Sequence, residues 1–159
     1  MPCNCNKPRA PIPLARKEEW GPLLWAFLHG TAERQIIHYK VELIWRRAIA
    51  GLSFVIPCIE CRGHYTTYLA ANPCTPPRDP AACKQYMRTW LHTFHNAVNV
   101  RLEKPTFPME SLEATYSGTN LGLIDAQLRE IMSQYRMVDI VSIVKWGDFS
   151  SAMNYLRSG

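Results

Sequence analysis

The sequence predicts an all-α fold, a four-helix bundle with an additional C-terminal helical segment, on three observations. Apolar side chains recur at three- and four-residue spacing in successive segments. Pro, Gly and Asn punctuate the ends of those segments. The first four segments are joined by short links, as the helices of an antiparallel bundle are.

The elements follow in order. Residues 1–16 carry four of the twelve prolines and little periodicity, which predicts a mobile arm holding Cys3 and Cys5. Gly21-Pro22 is expected to open the first helix, with Trp25, Leu28 and Ala32 along one face. In the second, Val41, Ile44, Trp45, Ala48, Leu52 and Val55 form a helical stripe opposite Arg46 and Arg47, and Pro57 stops it. A third helix is expected from Cys58 to Ala71, closed by Asn72-Pro73. After a Pro-rich loop, Asp79 offers an N-cap and Pro80 a first helical residue. The fourth helix then runs to about Glu103, with Trp90, Phe94 and Val98 as its apolar stripe. Residues 105–123 read as loop, and a fifth helix is expected from about Asp125. Residues 137–146 are β-branched and fit either helix or strand; a short amphipathic stretch, 149–156, ends the chain.

A chain of 159 residues can bury one core of useful size, and 47% hydrophobic content excludes disorder. The charge is uneven. Residues 1–104 hold 14 Lys and Arg against 7 acids, and residues 105–159 hold 4 against 6. A basic first part suits a phosphate-bearing partner, a nucleic acid or a dinucleotide. No run of Lys or Arg longer than two residues occurs, which argues against a nucleic-acid tail. No apolar run approaches membrane-spanning length, so no membrane association is expected. The N-terminus lacks the apolar stretch of a secretory signal. The six cysteines fall in pairs: Cys3-x-Cys5, Cys58-x-x-Cys61, and Cys74 with Cys83. Without a secretory signal, such pairs point to redox or metal chemistry.

Cys58-Ile59-Glu60-Cys61 puts two sulfurs within bridging reach over one helical turn. Cys58 stands at a helix start, where free N–H groups and the dipole favour a thiolate. The spacing alone also suits half a zinc site or two inert thiols. On the fourth helix His92, His95, Asn96 and Asn99 form a polar stripe at i, i+3, i+4 and i+7, with Arg101 and Lys104 at its C-terminal end. Two His and two Asn suit ring nitrogens, carbonyls and hydroxyls, and the two cations suit a pyrophosphate. Trp25 and His29 are spaced i, i+4 on the first helix.

These residues, in order, resemble the Erv/ALR family of FAD-linked sulfhydryl oxidases. The resemblance rests on Gly21-x-x-x-Trp25-x-x-x-His29, on Pro57-Cys58-x-x-Cys61-x-x-His64, on Trp90-Leu91, and on His95-Asn96-x-Val98-Asn99-x-x-Leu102-x-Lys104-Pro105-x-Phe107. It covers about residues 20–108 and implies a bundle that holds FAD noncovalently. Gly21, Trp25, His29, Trp90, His95, Asn96, Val98, Asn99, Arg101, Leu102 and Lys104 are then the cofactor-binding set. Cys61 lies against the flavin ring and Cys58 faces incoming thiols. Cys3 and Cys5 are expected to act as a shuttle pair. The implied activity is oxidation of protein dithiols to disulfides with reduction of O2 to H2O2, in a homodimer, with no metal. The implied division is an arm at 1–16, a catalytic bundle at 17–108 and a C-terminal extension at 109–159. Large DNA viruses that assemble in the cytoplasm encode members of the family. The resemblance thus points to an infected cell's cytoplasm, a virion or the mitochondrial intermembrane space without choosing among them.

Four positions depart from the family pattern. Ile56 replaces a frequent Tyr before Pro-Cys, and Pro22 replaces a frequent Arg after the first Gly. His92 and Met109 stand where many members carry two cysteines joined as a structural disulfide. A Cys74–Cys83 bridge is expected to take over that staple. Trp146, beyond the matched region, is expected to fill core.

A competing reading makes Cys58, Cys61, His92 and His95 the ligands of a zinc-binding nucleic-acid module. Its H-x-x-H spacing is tighter than that of a usual finger, and it leaves Trp25, His29, Asn96 and Asn99 without a role. A thioredoxin-like reductase needs βαβ units around the CxxC, which this helical pattern lacks. A noncatalytic helical interaction protein leaves the cysteine pairs unexplained. No G-x-G-x-x-G occurs, so a Rossmann-type flavin site is not expected.

Overall fold

A computed structural model of the chain describes residues 14–136 and 140–158. Among the described residues there are seven helices and no strand: α1 (Lys17–Glu33), α2 (Val41–Val55), α3 (Ile59–Ala71), α4 (Pro80–Arg101), α5 (Ser111–Tyr116), α6 (Leu121–Arg136) and α7 (Ile143–Ser158). The all-α class predicted from periodicity is the one that forms. Among the described residues no helix is long and apolar enough to cross a membrane.

Five of the six residues of the predicted α2 stripe, Val41, Trp45, Ala48, Leu52 and Val55, are buried; the sixth, Ile44, is half-buried, Ile49 is buried beside them, and Arg46 and Arg47 face solvent. Each large aliphatic side chain fully buried there contributes roughly 1.5–3 kcal/mol. The Trp45 indole N–H donates to Gln35 (2.8 Å), whose amide donates to the Pro80 carbonyl (2.9 Å), so the buried polar atoms that join the α1–α2 link to α4 are paired. At the start of α4 the Asp79 carboxylate accepts from the Ala82 N–H at 2.8 Å, with Pro80 in the first turn, as the sequence predicts.

Other boundaries moved. Helix α1 begins at Lys17, a turn before Gly21. The Glu19 carboxylate accepts the Arg16 N–H, and Glu18 and Glu19 complement the helix N-terminus. Pro22 therefore lies inside the helix and removes one of its backbone bonds. The segment expected as loop contains the short α5, whose Leu112 is buried. Helix α6 starts at Leu121 because the Asn120 side chain accepts from the Leu123 N–H at 3.1 Å. In the ambiguous stretch, Ser142 caps α7, accepting from Lys145 through its hydroxyl and from Trp146 through its carbonyl. Burial of Trp146 overrides the strand preference of the β-branched residues before it.

Helix α1 lies at the centre, against α4, α5, α6 and α7, and α2 makes its most extensive contact with α7. Trp146, Phe149, Met153 and Leu156 of α7 join Phe27, Trp45 and Leu52 in one core, where the expectation for Trp146 is met. Gly30 permits the close α1–α6 approach, since a Cβ there would sit 2.7 Å from the Leu121 side chain. That approach brings α5 across the C-terminal part of α1, at His29 and Gly30.

Candidate functional site

The sulfurs of Cys58 and Cys61 are joined, with their Cα atoms 5.1 Å apart. Cys58 is the N-cap of α3 and its sulfur accepts the Cys61 N–H at 3.1 Å. Extended backbone at Cys58, after the buried Pro57, gives the turn that lets one residue cap the helix and reach its first turn. Both cysteines are half-buried, while Ile59 and Glu60 between them are exposed. The pair is therefore reachable from solvent at a helix N-terminus, where a thiolate is favoured once the bond opens.

Arg62, next to Cys61, fastens this turn. Its guanidinium donates to the carbonyls of Ile56 (2.6 Å), Phe54 (3.1 Å) and Ile140 (2.5 Å). One side chain thereby ties the end of α2, the start of α3 and the segment before α7. Burial lowers its pKa from the usual arginine value.

A cluster of rings fills the space between α1 and α4. Trp25 stacks on His95 with centroids 3.9 Å apart and planes 8° from parallel. His95 Nδ1 and His29 Nε2 share a hydrogen bond of 3.0 Å. Tyr116 of α5 stacks on His29 at 4.7 Å. Phe107 meets His29, His92 and His95 edge-on. Burial, with His95 and His92 nearby, pushes the His29 imidazole down to about 3. Burial, then His92 and Lys104, takes His95 down to about 4. Both rings are neutral at physiological pH, so one donates and the other accepts in their shared bond. His29 Nδ1 is buried without a partner, which leaves a polar atom for a ligand to meet.

Phe94 links this cluster to the disulfide helix. It touches Trp25 and Trp90 on one side and Tyr65 and Tyr68 of α3 on the other, at centroid distances of 4.9 to 5.7 Å. The Trp90 indole donates to the Asn72 carbonyl at 3.3 Å, at the end of α3. Beside it lies a cavity of about 300 Å³ lined by Tyr68, Asn72, Tyr86, Thr89, Trp90 and Thr93.

The polar stripe divides into different tasks. Asn96 clamps the Phe107 peptide, accepting its N–H (3.1 Å) and donating to its carbonyl (3.0 Å). His92 Nε2 bonds the same carbonyl at 2.8 Å. Asn99 donates to Asn96 at 3.4 Å, and its carbonyl accepts the Lys104 N–H at 2.8 Å. That bond, with Glu103 held at φ 54°, closes α4 and turns the chain back so that Phe107 lies under the histidines. Arg101, Leu102 and Lys104 are exposed at this end, and Val98 is half-buried.

The structure thus brings together Trp25, His29, His95, Asn96 and Asn99, and joins Trp90 to them through Phe94. Gly21 has no atom within 4 Å of where its Cβ would stand. Cys3 and Cys5 lie outside the described residues. Sequence reasoning missed Arg62, Phe94 and Tyr116 as parts of the site. Phe94 was legible as the neighbour of His95, whereas no local pattern announces that Tyr116 folds over His29.

The expected Cys74–Cys83 staple is not formed; both thiols are free. Cys83 points into the core from α4, and the Cys74 thiol donates instead to the Met87 thioether at 3.7 Å. The zinc reading also fails on the geometry. It needs Cys58, Cys61, His92 and His95 on one ion, but the two sulfurs are bonded to each other, His92 to Phe107 and His95 to His29.

Comparison with known proteins bears on the same region. The FAD-linked sulfhydryl oxidase ERV1 of Arabidopsis thaliana is 32% identical over 104 residues, 63% of this chain and 51% of the plant protein. The FAD-linked sulfhydryl oxidase of African swine fever virus (isolate Tick/Malawi/Lil 20-1/1983) is 30% identical over 112 residues, 67% of this chain and 87% of the viral one. The chain thus spans about half the length of the plant relative and most of the viral one. The crystal structure of the yeast Erv1 core superposes with a TM-score of 0.52 at 22% identity, over 74% of this chain and 98% of that one, and shares the fold. Residues 22–117, which hold the disulfide, the stacked imidazoles and Tyr116, match the Erv1 / Alr family, and the chain belongs to it.

Proposed function

We propose that this chain is an FAD-linked thiol oxidase that forms disulfides in protein dithiols and delivers the electrons to O2, giving H2O2. The observation that carries the reading is a solvent-edge Cys58–Cys61 disulfide on a helix N-terminus, connected by Phe94 to stacked, neutral imidazoles.

The residues fit the cofactor that the relatives' names specify. The unpartnered His29 Nδ1, the Trp25–His95 stack and the Tyr116 face offer flat, neutral, partly polar surfaces suited to aromatic rings. Trp90, Val98 and Asn99 would extend that surface, and Arg101 and Lys104, exposed at the end of α4, are cations suited to a pyrophosphate. Asn96 contributes by holding Phe107 in place, and Leu102 and Gly21 complete the set carried by the resemblance. When bound, FAD supplies the two-electron acceptor and its return of electrons to oxygen.

The chain's own residues do the thiol chemistry. A substrate thiolate attacks Cys58, the helix-capping sulfur of the pair, and the Cys58–Cys61 bond breaks, which releases Cys61 as a thiolate. The second substrate thiol then displaces Cys58, which leaves the substrate as a disulfide and the enzyme pair as a dithiol. The N-terminus of α3 holds the Cys58 thiolate, and Arg62 keeps the turn in register. We further propose the division into an arm (1–16), a catalytic bundle (17–108) and a C-terminal extension (109–159), and a homodimeric assembly.

Purified protein is expected to be yellow, with flavin absorbance bands and about one FAD per chain. A folded, colourless preparation that cannot be reconstituted with FAD would overturn the reading. The arm is expected to carry electrons inward through Cys3 and Cys5. Replacing both with Ala should slow oxidation of a folded protein dithiol by about tenfold while a small dithiol, which reaches Cys58 directly, turns over as before. Rates unchanged by the substitutions with both substrates would show that the arm is dispensable for electron transfer.

A further inference from the structure

Two cysteines take no part in this chemistry, and the fold places them together. Cys83 and Met87 are spaced i, i+4 in the first half of α4, on its inward face, and both are fully buried. Cys74 comes from the loop between α3 and α4, is half-buried, and donates its S–H to the Met87 thioether across 3.7 Å. The thiols also lie within electrostatic reach of one another. Burial pushes Cys74 up to about 12, with Arg46 opposing the rise and Cys83 adding to it. Burial, then Glu42 and Asp79, raises Cys83 to about 11.

We propose that Cys74, Cys83 and Met87 form a copper(I) site. Two thiols and a thioether are a soft donor set, and soft sulfur ligands select Cu(I) among the common metal ions. Metal–sulfur bonds of about 2.3 Å around a trigonal ion put the sulfurs about 4 Å apart. The 3.7 Å between Cys74 Sγ and Met87 Sδ is close to that spacing before any ion enters. Zinc prefers four donors drawn from thiolate, imidazole and carboxylate. Among the described residues no three His, Cys, Asp or Glu gather for it here. Copper(I) accepts the thioether and the lower coordination number.

The high thiol pKa values do not oppose the site, because a coordinating thiol gives up its proton to the metal. Binding moves no electrons: Cu(I) takes the place of thiol protons, which leave to solvent. Glu42 and Asp79 on the Cys83 side favour a cation there. Access runs from the half-buried Cys74, whose loop also holds the Asn72 carbonyl that accepts from Trp90. Occupancy would pin that loop to α4 and shield two thiols from oxidation.

The test is an anaerobic titration of the full chain with Cu(I) against the chromophoric chelator bathocuproine disulfonate. Cys58–Cys61 is kept oxidised and Cys3 and Cys5 are replaced by Ser, so that no other thiol competes. One Cu(I) per chain with a sulfur-only coordination shell by X-ray absorption is expected. Met87→Leu keeps size and apolarity and is tolerated in packed cores. It should weaken Cu(I) at least tenfold and remove one sulfur from the shell. Cys74→Ala, at the half-buried position, should abolish binding and serves as the second variant. Zn(II) should not displace the copper. Failure to hold Cu(I) against the chelator, affinity unchanged in Met87→Leu, or a Cys74–Cys83 disulfide in the protein as isolated would each overturn the site. None of these readouts depends on FAD or on oxygen consumption, so the oxidase reading stands or falls separately.

Discussion

Cys61→Ser is expected to abolish turnover with small and protein dithiols alike, by more than about a thousandfold, the scale of losing a group that acts in the chemical step. The reason lies in the division of labour at the turn. Cys58 caps α3 at a half-buried position, and it is open to attack by a substrate thiolate only while it is bonded to Cys61. Without Cys61 there is no intramolecular disulfide to receive two electrons, and Cys58 stays a free thiol that a reduced dithiol has no bond to exchange with. Cys58→Ser should be equally inactive but leave the fold intact, because Ser is a preferred N-cap and can accept the Cys61 N–H in place of the sulfur. Oxygen consumption and flavin absorbance measured on the same samples decide the matter. The prediction is lost turnover with retained flavin that dithiols no longer reduce, in both variants. Normal oxygen consumption in either variant would remove the Cys58–Cys61 pair from the mechanism.

Trp146→Ala is expected to cost about 3–5 kcal/mol of folding stability, the range for truncating a large buried aromatic. Trp146 is 1% exposed and packs on Phe149, which in turn meets Phe27 of α1 edge-on. Its indole nitrogen has no partner, so the loss is one of packing and not of a hydrogen bond. The substitution leaves a void between α7 and the rest of the core, and rigid neighbours close it only partly. A melting temperature lower by roughly 10 °C is expected for a chain of this size. Trp146→Phe should recover about half of the loss, since it keeps an aromatic ring in the same space. Chemical denaturation of the three proteins provides the check. A change below about 1 kcal/mol for the Ala variant would mean that α7 folds onto the surface and not into the core.

Those two expectations draw on different sources. The catalytic turn was legible in the sequence because its determinants are local. One helical turn separates Cys58 from Cys61, Pro57 stops α2, and the residue after that stop is the cap of α3. The same holds for the stripe of α2, for Asp79-Pro80 at the start of α4, and for the faces that Trp25, His29, His95 and Asn99 occupy. The helical period assigns each side chain to a face, and a cap needs only its own neighbours.

What the period does not report is which other face arrives. Tyr116 reaches His29 because Gly30 lets α6 approach α1 closely, and its own six-residue helix carries too little pattern to be read as one. Arg62 gains its role only when three carbonyls from separate parts of the chain converge on it. Helix α7 replaces an ambiguous β-branched segment because Trp146 finds a buried seat, a gain larger than any local propensity difference. The Cys74–Cys83 expectation failed for the same reason. Their spacing allows a bond, but a disulfide forms only where Cβ positions and side-chain directions agree closely, and here the Cys74 sulfur is turned to Met87. The sequence by itself determined the helices, their faces and the redox turn. The tertiary structure decided the ring that closes over His29, the clasp on the turn and the state of the second cysteine pair. Each of these depends on burial summed over the whole chain, which no local window contains.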